Sequence, residues 1–469
     1  MTLRILFILL SFISIYKASA YQTDNDSVHF VHNLTINQGA LISYQNKAPF
    51  WLTNNNSGRF EDTGASNAFT NVHFVKHGDQ TKPIDYFYGG ELNLLASDKV
   101  TLSTIQGYAG LQFKFLNLRI GKKEEFFGLS DSTLTIGNLT YGNNARPIPK
   151  IVLTTNDWIN APILPRLFSF KAYLAHGWFE KNRFQSSALL HEKYAYLRAK
   201  IYKGKVEFIF GLHHNAQWGG INASDNSSQP TGLKNFKRIF LGGSGGGDAL
   251  QTDQQNALGN HLGSYDLSTS LQFRTFKVIN YWQFLWEDSS GLNPLNWRDG
   301  LFGISVILEN KKALISRVNL EIIRTNDQDA LKTGKDGNPF IEPDSFFNNG
   351  VYRSGWTYQN RGIGNPVFLL LNPGSTSGNS IKNMVNGVNI GLSGKRGSIQ
   401  YRLNYRWFKN QGTYTERIEP SIKHNAFIGQ LILNRNRNII NLKGALEWGN
   451  YLGGNFGLQL SYGYRLGLN

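Results

Sequence analysis

The chain has 469 residues, a formal net charge of +16, 13% aromatic residues and 49 glycines, and it contains no cysteine. The absence of cysteine excludes disulfides, thiolate metal sites and cysteine nucleophiles. A hydrophobic content of 41% does not separate a soluble domain from a membrane β-barrel, because a barrel combines an apolar outer band with a polar lumen and polar loops.

Residues 1–20 are expected to form a secretory signal peptide. Arg4 supplies the charged start, Ile5 to Ile15 is a short apolar run, and Ala18-Ser19-Ala20 is a cleavage site of the A-x-A kind. The apolar run is about half as long as the roughly 20 residues that a membrane-spanning helix needs. We therefore predict a mature chain of residues 21–469, in which 46 bases and 32 acids give a charge near +14.

Strand-like segments follow one another through the mature chain, and no long stretch has a convincing helical period. Short turns, such as those at 395–397 and 434–438, alternate with long connections, which is typical of outer-membrane barrels. The segments that we predict as strands are Tyr86–Leu95, Leu111–Phe115, Asn117–Gly121, Phe168–Trp178, Tyr194–Tyr202, Val206–Trp218, Leu267–Phe276, Tyr281–Trp286, Ile304–Leu308, Val318–Arg324, Val388–Leu392, Ile399–Trp407, Phe427–Leu433 and Ile440–Trp448.

The last segment, Asn455 to Asn469, has the strongest strand pattern. Every second residue is apolar, and the intervening residues are polar or glycine. Because strand side chains alternate between two faces, this segment has one apolar face for lipid and one polar face for a lumen. The sequence therefore predicts an all-β fold, a transmembrane antiparallel β-barrel of about 18 strands with long loops that partly plug the lumen.

The predicted inward faces carry more bases than acids. Eleven bases against four acids would make the lumen attractive to anions. Alternatively, these bases pair with loop acids and hold the wall rigid. The bases are Lys114, Arg119, Lys171, Arg198, Lys200, Arg274, Arg317, Arg402, Arg406, Lys443 and Arg465, and the acids are Glu91, Glu207, Glu321 and Glu447.

Three long connections are predicted at Ile221 to Ser264, Thr325 to Asn349 and Tyr141 to Arg166. The third contains the most distinctive motif, Gly142 to Lys150, in which two prolines exclude a helix and a central strand. Such a stiff segment would present Arg146 and Lys150 to the carboxylates and hydroxyls of a glycan. The alternative is a plug or turn that seals the barrel.

Two strands carry further candidate glycan-binding residues. Tyr194, Tyr196, Arg198 and Lys200 face inward on one strand, where aromatic rings would contact sugar faces and bases would bind carboxylates. The tyrosines would equally serve to fill space beside a plug.

On the strand that ends at Trp218, His213 and Gln217 face inward, while His214 and Trp218 face outward. Because the adjacent histidines point to opposite faces, we predict no metal site there, and Trp218 is expected at the membrane interface.

Five motifs in this order resemble the Wzi capsule-assembly family of outer-membrane proteins. They are Pro49-Phe50-Trp51, Asn144 to Lys150, His191-Glu192-Lys193-Tyr194, His213 to Gly220, and Leu258-Gly259-Asn260-His261. The resemblance covers essentially the whole mature chain. It implies a monomeric barrel of about 18 strands in the outer membrane of a Gram-negative cell, which binds capsular polysaccharide like a lectin and without catalysis.

The leading hypothesis is thus a non-enzymatic protein that binds and helps to organise or anchor an acidic polysaccharide at the cell surface. Its other partners would be the lipid bilayer and lipopolysaccharide, with no nucleic acid, cofactor or metal. The alternatives are a channel for anionic oligosaccharides or other anionic solutes, and an outer-membrane hydrolase. The predicted glycan-binding residues are Arg146, Lys150, Tyr194, Tyr196, Arg198, Lys200, His213, Gln217, Arg402 and Arg406.

Overall fold

The computed structural model describes residues 32–468, except for residues 62, 311–312, 335, 372, 375–377 and 379. The predicted signal peptide lies outside the described residues. The described chain forms one large antiparallel sheet that closes on itself, because its first strand pairs with both the second strand and the last. Ile36, for example, lies opposite Val72 on one side and Tyr464 on the other.

Eighteen strands of the described chain form the closed barrel, as predicted. The two-residue strand Ile159–Asn160 continues the sixth strand along the same neighbour. The barrel strands are β1 His32–Lys47, β2 Gly64–Lys76, β3 Ile84–Ala96, β4 Val100–Phe113, β5 Leu116–Lys122, β6 Lys150–Thr155, β7 Phe168–Trp178, β8 Leu189–Ile201, β9 Val206–Trp218, β10 Asn260–Gln272, β11 Phe276–Glu287, β12 Gly300–Leu308, β13 Arg317–Arg324, β14 Val385–Arg396, β15 Ile399–Gly412, β16 Arg417–Arg435, β17 Asn438–Gly449 and β18 Asn455–Leu468.

The two ends of the barrel differ. Connections after even-numbered strands are mostly short, such as 114–115, 397–398 and 436–437, and we call this end the turn face. Connections after odd-numbered strands include 48–63, 123–149, 219–259 and 325–384, and we call this end the loop face. Outer-membrane barrels show this asymmetry, with the longer loops outside the cell.

The outward positions form an apolar band. Leu197, Phe210, Leu446 and Leu460 are each about half exposed, at 49%, 49%, 50% and 50%. Their inward neighbours, such as Ser461, are buried in the lumen. The alternation predicted for the last strand is therefore present. Among the described residues, no helix is long and apolar enough to cross a membrane.

Three α-helices occur in the described connections, and none of them is longer than ten residues. They are α1 Phe50–Thr53, α2 Gly232–Leu241 and α3 Gln251–Gln255. Helix α2 ends at its C-cap, Gly242, which has a left-handed backbone conformation. The remaining elements are the short strands Gln185–Ser186, Ile221–Asn222, Asp329–Thr333, Pro339–Pro343, Thr357–Tyr358, Arg361–Gly362, Leu369–Leu370 and Ile381–Lys382, and the 3₁₀ turns Tyr202–Gly204 and Ser290–Leu292.

Three long connections fold into the lumen, fill its loop-face half and extend toward the turn face, where Asp131 pairs with Arg317 at the start of β13. Residues from 48–63, 123–149 and 325–384, including Trp51, Leu139 and Trp356, join one apolar core with inward wall residues such as Tyr173 and Phe408. All five side chains are buried. We call these three connections the plug. Their packing confirms the expectation of loops inside the lumen.

Several predicted boundaries were wrong. The predicted connection Thr325 to Asn349 continues to residue 384, and the last five residues of the predicted connection Ile221 to Ser264 belong to β10. Leu267–Phe276 runs through the turn at 273–275, and Leu111–Phe115 ends within the turn at 114–115, because apolar turn residues continued the strand pattern. The predicted connection Tyr141 to Arg166 contains β6, whose apolar residues were masked by the four surrounding prolines.

Candidate functional site

Nine of the eleven predicted luminal bases lie at inward positions of strands. Lys114 and Arg274 do not, because both lie in exposed turns at the turn face. All four predicted acids face inward, with Glu91, Glu321 and Glu447 buried. The sequence count missed further buried wall acids, including Glu192 and Asp266, and acids that the plug brings into the lumen. The plug also brings bases into the lumen, including Arg59 and Arg146, so the partners of each base decide whether it can bind an anion.

Lys150 is bound inside the protein rather than presented to a ligand. Its side chain is 1% exposed, and its Nζ donates to Glu125 Oε2 at 2.7 Å and Glu192 Oε2 at 2.8 Å. Glu125 also accepts from Arg119 at 2.6 Å, and His213 Nε2 lies 3.2 Å from Glu192 Oε1. This network joins the plug to β5, β6, β8 and β9. The prediction that Lys150 and His213 bind glycan is not supported by their burial.

Glu125 is ionised within this network. Burial alone would raise the pKa of its carboxyl group, but the nearby cations Lys150 and Arg119 outweigh burial and lower the pKa to about 2. Glu125 therefore remains negative at neutral pH and holds the first part of connection 123–149 against the wall.

Arg146 and Gln217 also have partners inside the protein. Arg146 Nη2 donates to Glu61 Oε2 at 2.7 Å and to Ser103 Oγ at 2.9 Å. Gln217 is fully buried, and its Nε2 donates to the Gly355 carbonyl oxygen at 3.2 Å. Both side chains hold the plug in position.

The tyrosine and basic residues of β8 line the wall beside the plug. Tyr194 stacks on Tyr173 with ring centroids 5.0 Å apart, and Tyr196 donates to Asp266. Arg198 lies 4.3 Å from the Trp158 ring, and Lys200 lies 3.8 Å from Glu207. Tyr194 and Tyr196 therefore fill space beside the plug, which is the alternative given for them above. Arg198 and Lys200 lie near the turn face.

Arg402 and Arg406, by contrast, border an open space. With Lys443 they line a cavity of about 220 Å³ between the plug and the wall. Arg402 and Lys443 lie three and five residues from the starts of β15 and β17 at the turn face, so the cavity occupies that half of the lumen. We call it the luminal cavity. Its lining residues are Trp51, Asn54, Asn55, Phe126, Ser132, Thr133, Thr135, Gly137, Asn138, Tyr141, Gly142, Asn143, Arg402, Asn404, Arg406, Ile428, Gln430 and Lys443.

Within the described residues, no carboxylate lies within 4.0 Å of these three cations. The nearest acids already accept hydrogen bonds from other groups. Asp131 accepts from Arg317 at 2.8 Å, and Glu447 accepts the backbone N–H groups of Phe50 and Trp51 at 2.7 and 2.8 Å.

Glu321 is occupied too, because it accepts four hydrogen bonds. Their donors are the Thr135 hydroxyl, the Ile136 N–H, the Tyr281 hydroxyl and the Asn389 amide.

The three cations still have N–H groups that can bind an anion. Arg406 donates to the Thr135 carbonyl oxygen at 3.0 Å and lies over the Trp51 ring at 4.3 Å. Lys443 donates to the Trp51 carbonyl oxygen at 3.2 Å. An arginine has five donors and a lysine three, so each retains N–H groups for a carboxylate in the cavity.

Neutral groups complete the luminal cavity. The indole Nε1 of Trp51 is buried and has no hydrogen-bond partner in the described structure. Phe126 is 44% exposed and offers an aromatic face. The cavity therefore combines cations, amides and aromatic surface, which are the groups that bind an acidic sugar.

Sequence reasoning selected Arg402 and Arg406 but left Lys443 and Trp51 out of the site. Lys443 was placed inward by alternation. Trp51 lies in the Pro49-Phe50-Trp51 motif, and only the fold shows that this motif reaches β15 and β17.

A second polar pocket lies in the last part of the plug, at the loop face. It has a volume of about 380 Å³ and contains the exposed Arg353 with several amides and hydroxyls. The Arg353 guanidinium packs 4.9 Å from the Phe184 ring. Its lining residues are Ser345, Asn348, Asn349, Gly350, Arg353, Gly378 and Ser380.

His214 and Trp218 face outward as predicted, but neither contacts lipid. Trp218 is 3% exposed because Phe236 of α2 packs against it, with ring centroids 5.9 Å apart. His214 Nε2 lies 2.8 Å from His261 Nδ1 on the next strand. The expectation that Trp218 lies at the membrane interface was therefore wrong, because connection 219–259 folds back over this part of the wall.

The closed barrel, its apolar outer band and its plugged lumen define an outer-membrane-type β-barrel protein. The sequence model of the capsule assembly protein Wzi matches residues 22–369, so the chain belongs to the Wzi capsule assembly family. A search of curated proteins found no match.

The chain is also similar to solved structures, of which the first described here shares its fold. Escherichia coli Wzi, an outer-membrane protein involved in group 1 capsule assembly and described as a carbohydrate-binding β-barrel, aligns with a TM-score of 0.58 at 12% identity, covering 94% of this chain and 85% of that one. Pseudomonas aeruginosa OccK5 (OpdH) aligns with a TM-score of 0.48 at 10% identity, covering 93% and 98%. Pseudomonas aeruginosa OccK2 (OpdF), solved in complex with glucuronate, aligns with a TM-score of 0.47 at 10% identity, covering 94% and 99%.

Proposed function

We propose that this protein binds an acidic polysaccharide and helps to organise or anchor it at the surface of a Gram-negative cell, without catalysis. The observation that carries the proposal is the group of three luminal cations, Arg402, Arg406 and Lys443, which line a polar cavity and have no carboxylate partner among the described residues. Membership of a capsule assembly family makes a polysaccharide the expected ligand class.

The luminal cavity binds one acidic sugar unit in this proposal. Arg402 and Lys443 hold its carboxylate, because guanidinium and ammonium groups form charge-assisted hydrogen bonds with carboxylates. The Trp51 indole N–H donates to a sugar oxygen, and the Phe126 ring packs on the apolar face of the sugar.

The protein acts as a monomer in the outer membrane, with its long loops outside the cell. The single closed barrel supports this arrangement, since closure leaves no strand edge for another copy to extend. The predicted contacts with bilayer lipid are made by the exposed apolar band.

The channel alternative has less support than it had from the sequence. The loop-face half of the lumen is filled by a packed apolar core rather than by charged side chains around a water-filled path. A solute that entered the luminal cavity would meet this core.

The proposal is tested by neutralising the luminal cations. A variant with Arg402→Gln, Arg406→Gln and Lys443→Gln is purified in detergent, and its binding to an acidic and a neutral oligosaccharide is measured by calorimetry. The matched control is Lys205→Gln, Lys395→Gln and Arg396→Gln, which removes three exposed bases at the turn face. We expect the luminal variant to bind the acidic oligosaccharide at least 100-fold more weakly and the control to bind it like the wild type.

The Arg353→Gln variant tests whether the polysaccharide binds the loop-face pocket instead of the luminal cavity. If it alone loses binding, the polysaccharide binds the loop-face pocket and the luminal assignment is wrong. Equal binding by the wild type and all variants would contradict a role for either pocket.

A further inference from the structure

Helix α2 lies on the outside of the barrel wall rather than in the lumen. Phe236 packs against His176 and His191, with ring centroids 5.9 and 5.5 Å apart, and both histidines are outward residues of β7 and β8. The Phe240 ring lies 5.4 Å from His191, and Lys193 donates to the Phe240 carbonyl oxygen at the end of the helix. These contacts fix one face of α2 to the wall.

The position of α2 marks one margin of the apolar band. On β8 the helix covers His191 and Lys193, and the next outward residues toward the turn face include Leu197, which is 49% exposed. On β9 it covers Trp218, and Leu212 is 38% exposed farther along the same strand. One strand residue spans about 3.3 Å, so α2 lies within roughly 15 Å of lipid-facing side chains.

The free face of α2 combines bases with large apolar residues. Leu233 and Leu241 are 73% and 80% exposed, and Lys234 and Lys237 are exposed beside them. Arg238 lies at the edge of this face, where Asp248 is 4.0 Å away. The helix itself contains no acid. On this free face the leucines and lysines are neighbours. Lysine side chains are long enough to reach head groups while adjacent leucines enter the acyl region, so the face suits a membrane interface.

We infer that α2 is a docking site for the phosphorylated glycolipid of the outer leaflet, with Lys234, Lys237 and Arg238 binding its phosphates. The inference rests on the outer-membrane location proposed above, in which the loop face is outside the cell. The outer leaflet then places lipid A phosphates at the margin of the apolar band, beside the three bases. Leu233 and Leu241 enter the acyl region and keep the helix at this depth.

The docking site explains why connection 219–259 folds outward when three other long connections fold into the lumen. Both faces of α2 carry large apolar side chains. The wall buries only the face with Phe236, Ile239 and Phe240. Lipid covers the second face.

The experiment measures binding of diphosphorylated lipid A micelles to the purified full-length protein by fluorescence titration. The test variant is Lys234→Gln, Lys237→Gln and Arg238→Gln, and the control is Lys203→Gln, Lys205→Gln and Lys395→Gln at the turn face. We expect the test variant to bind at least tenfold more weakly and the control to be unchanged. Dephosphorylated lipid A should bind the wild type at least tenfold more weakly. Leu233→Ser with Leu241→Ser should also weaken binding.

Equal affinity of the wild type and the α2 variant for lipid A would overturn the inference, as would equal binding of phosphorylated and dephosphorylated lipid. If the α2 variant instead loses only its affinity for an acidic oligosaccharide, the helix belongs to the polysaccharide site and the inference is wrong. Loss of oligosaccharide binding by the luminal variant, with lipid A binding intact, would leave the inference standing, so the two proposals fail separately.

Discussion

The guanidinium of Arg406 lies over the indole ring of Trp51, 4.3 Å from the ring centroid. This contact joins the short helix α1 to strand β15 across the lumen, although the two residues are 355 positions apart in sequence. It fixes the plane of the arginine while its Nε and Nη2 donate to Asn389 and Thr135. The luminal cavity is therefore preorganised, since its central cation is held in place before a ligand binds.

Trp51→Phe is expected to weaken binding of an acidic oligosaccharide about tenfold. The phenyl ring keeps a π-face for Arg406 but removes the indole N–H, which has no partner in the described structure. Calorimetry on the wild type and the variant gives the comparison. Trp297→Phe, at an exposed tryptophan of a loop-face connection, is the matched control and should bind normally. Unchanged affinity in Trp51→Phe would remove this N–H from the site.

Glu125→Gln is expected to lower the free energy of unfolding by about 3 kcal/mol, because it leaves Arg119 and Lys150 with one carboxylate fewer in a buried network. The measurement is the detergent and heat resistance of the folded barrel, together with proteolysis of connection 123–149. Glu207→Gln breaks the more exposed pair with Lys200 and should cost about 1 kcal/mol or less. Similar losses in both variants would contradict the structural role of the network.

The attachment of connection 123–149 should depend on pH through Glu125. Its pKa in the folded protein, about 2, is lower than its ordinary value of 4.5, so its stabilising effect is complete above pH 4.5 and is lost as the pH falls through about 2. Protease cleavage within this connection should therefore accelerate between pH 4 and pH 2 in the wild type, measured with an acid-stable protease. The Glu125→Gln variant should be cleaved readily throughout, and an identical pH step in this variant would assign the effect to another group.

The plug should make the protein silent in planar bilayers. Trp356 and its neighbours form a packed core at the loop face, and ions would have to disrupt this core to cross. Single-channel recording of the purified protein, beside an open porin as a control, gives the measurement. Steady anion-selective conductance would favour the channel alternative over polysaccharide binding.

The barrel strands could be predicted because the alternation of apolar and polar residues is a local sequence pattern. Alternation along β7 and β9 gave their bounds to the residue, and alternation along β18 gave its lipid-facing side. Alternation failed where apolar residues continued through a turn, as at Phe273, or where prolines surrounded a short strand, as at β6.

The candidate site was harder to predict because it depends on long-range pairing. Lys150 and Arg402 were both predicted to bind glycan, the first from a stiff connection and the second from the wall. The plug brings Glu125 to Lys150, while the acid nearest Arg402, Asp131, is held by Arg317. No periodicity in the sequence encodes which connection reaches which base. Helix α2 was missed for a different reason. Its apolar positions 233, 236, 239 and 240 do follow a helical period, but they span only eight residues within a glycine-rich connection.

The most direct test of the central claim is the binding of the purified wild-type protein to a panel of acidic and neutral polysaccharides at low and high salt. Because the proposed contacts are ionic, we expect binding to acidic chains only, with affinity that falls as salt increases. Binding to neutral chains as tightly as to acidic ones, or binding that salt does not change, would contradict the role of Arg402, Arg406 and Lys443.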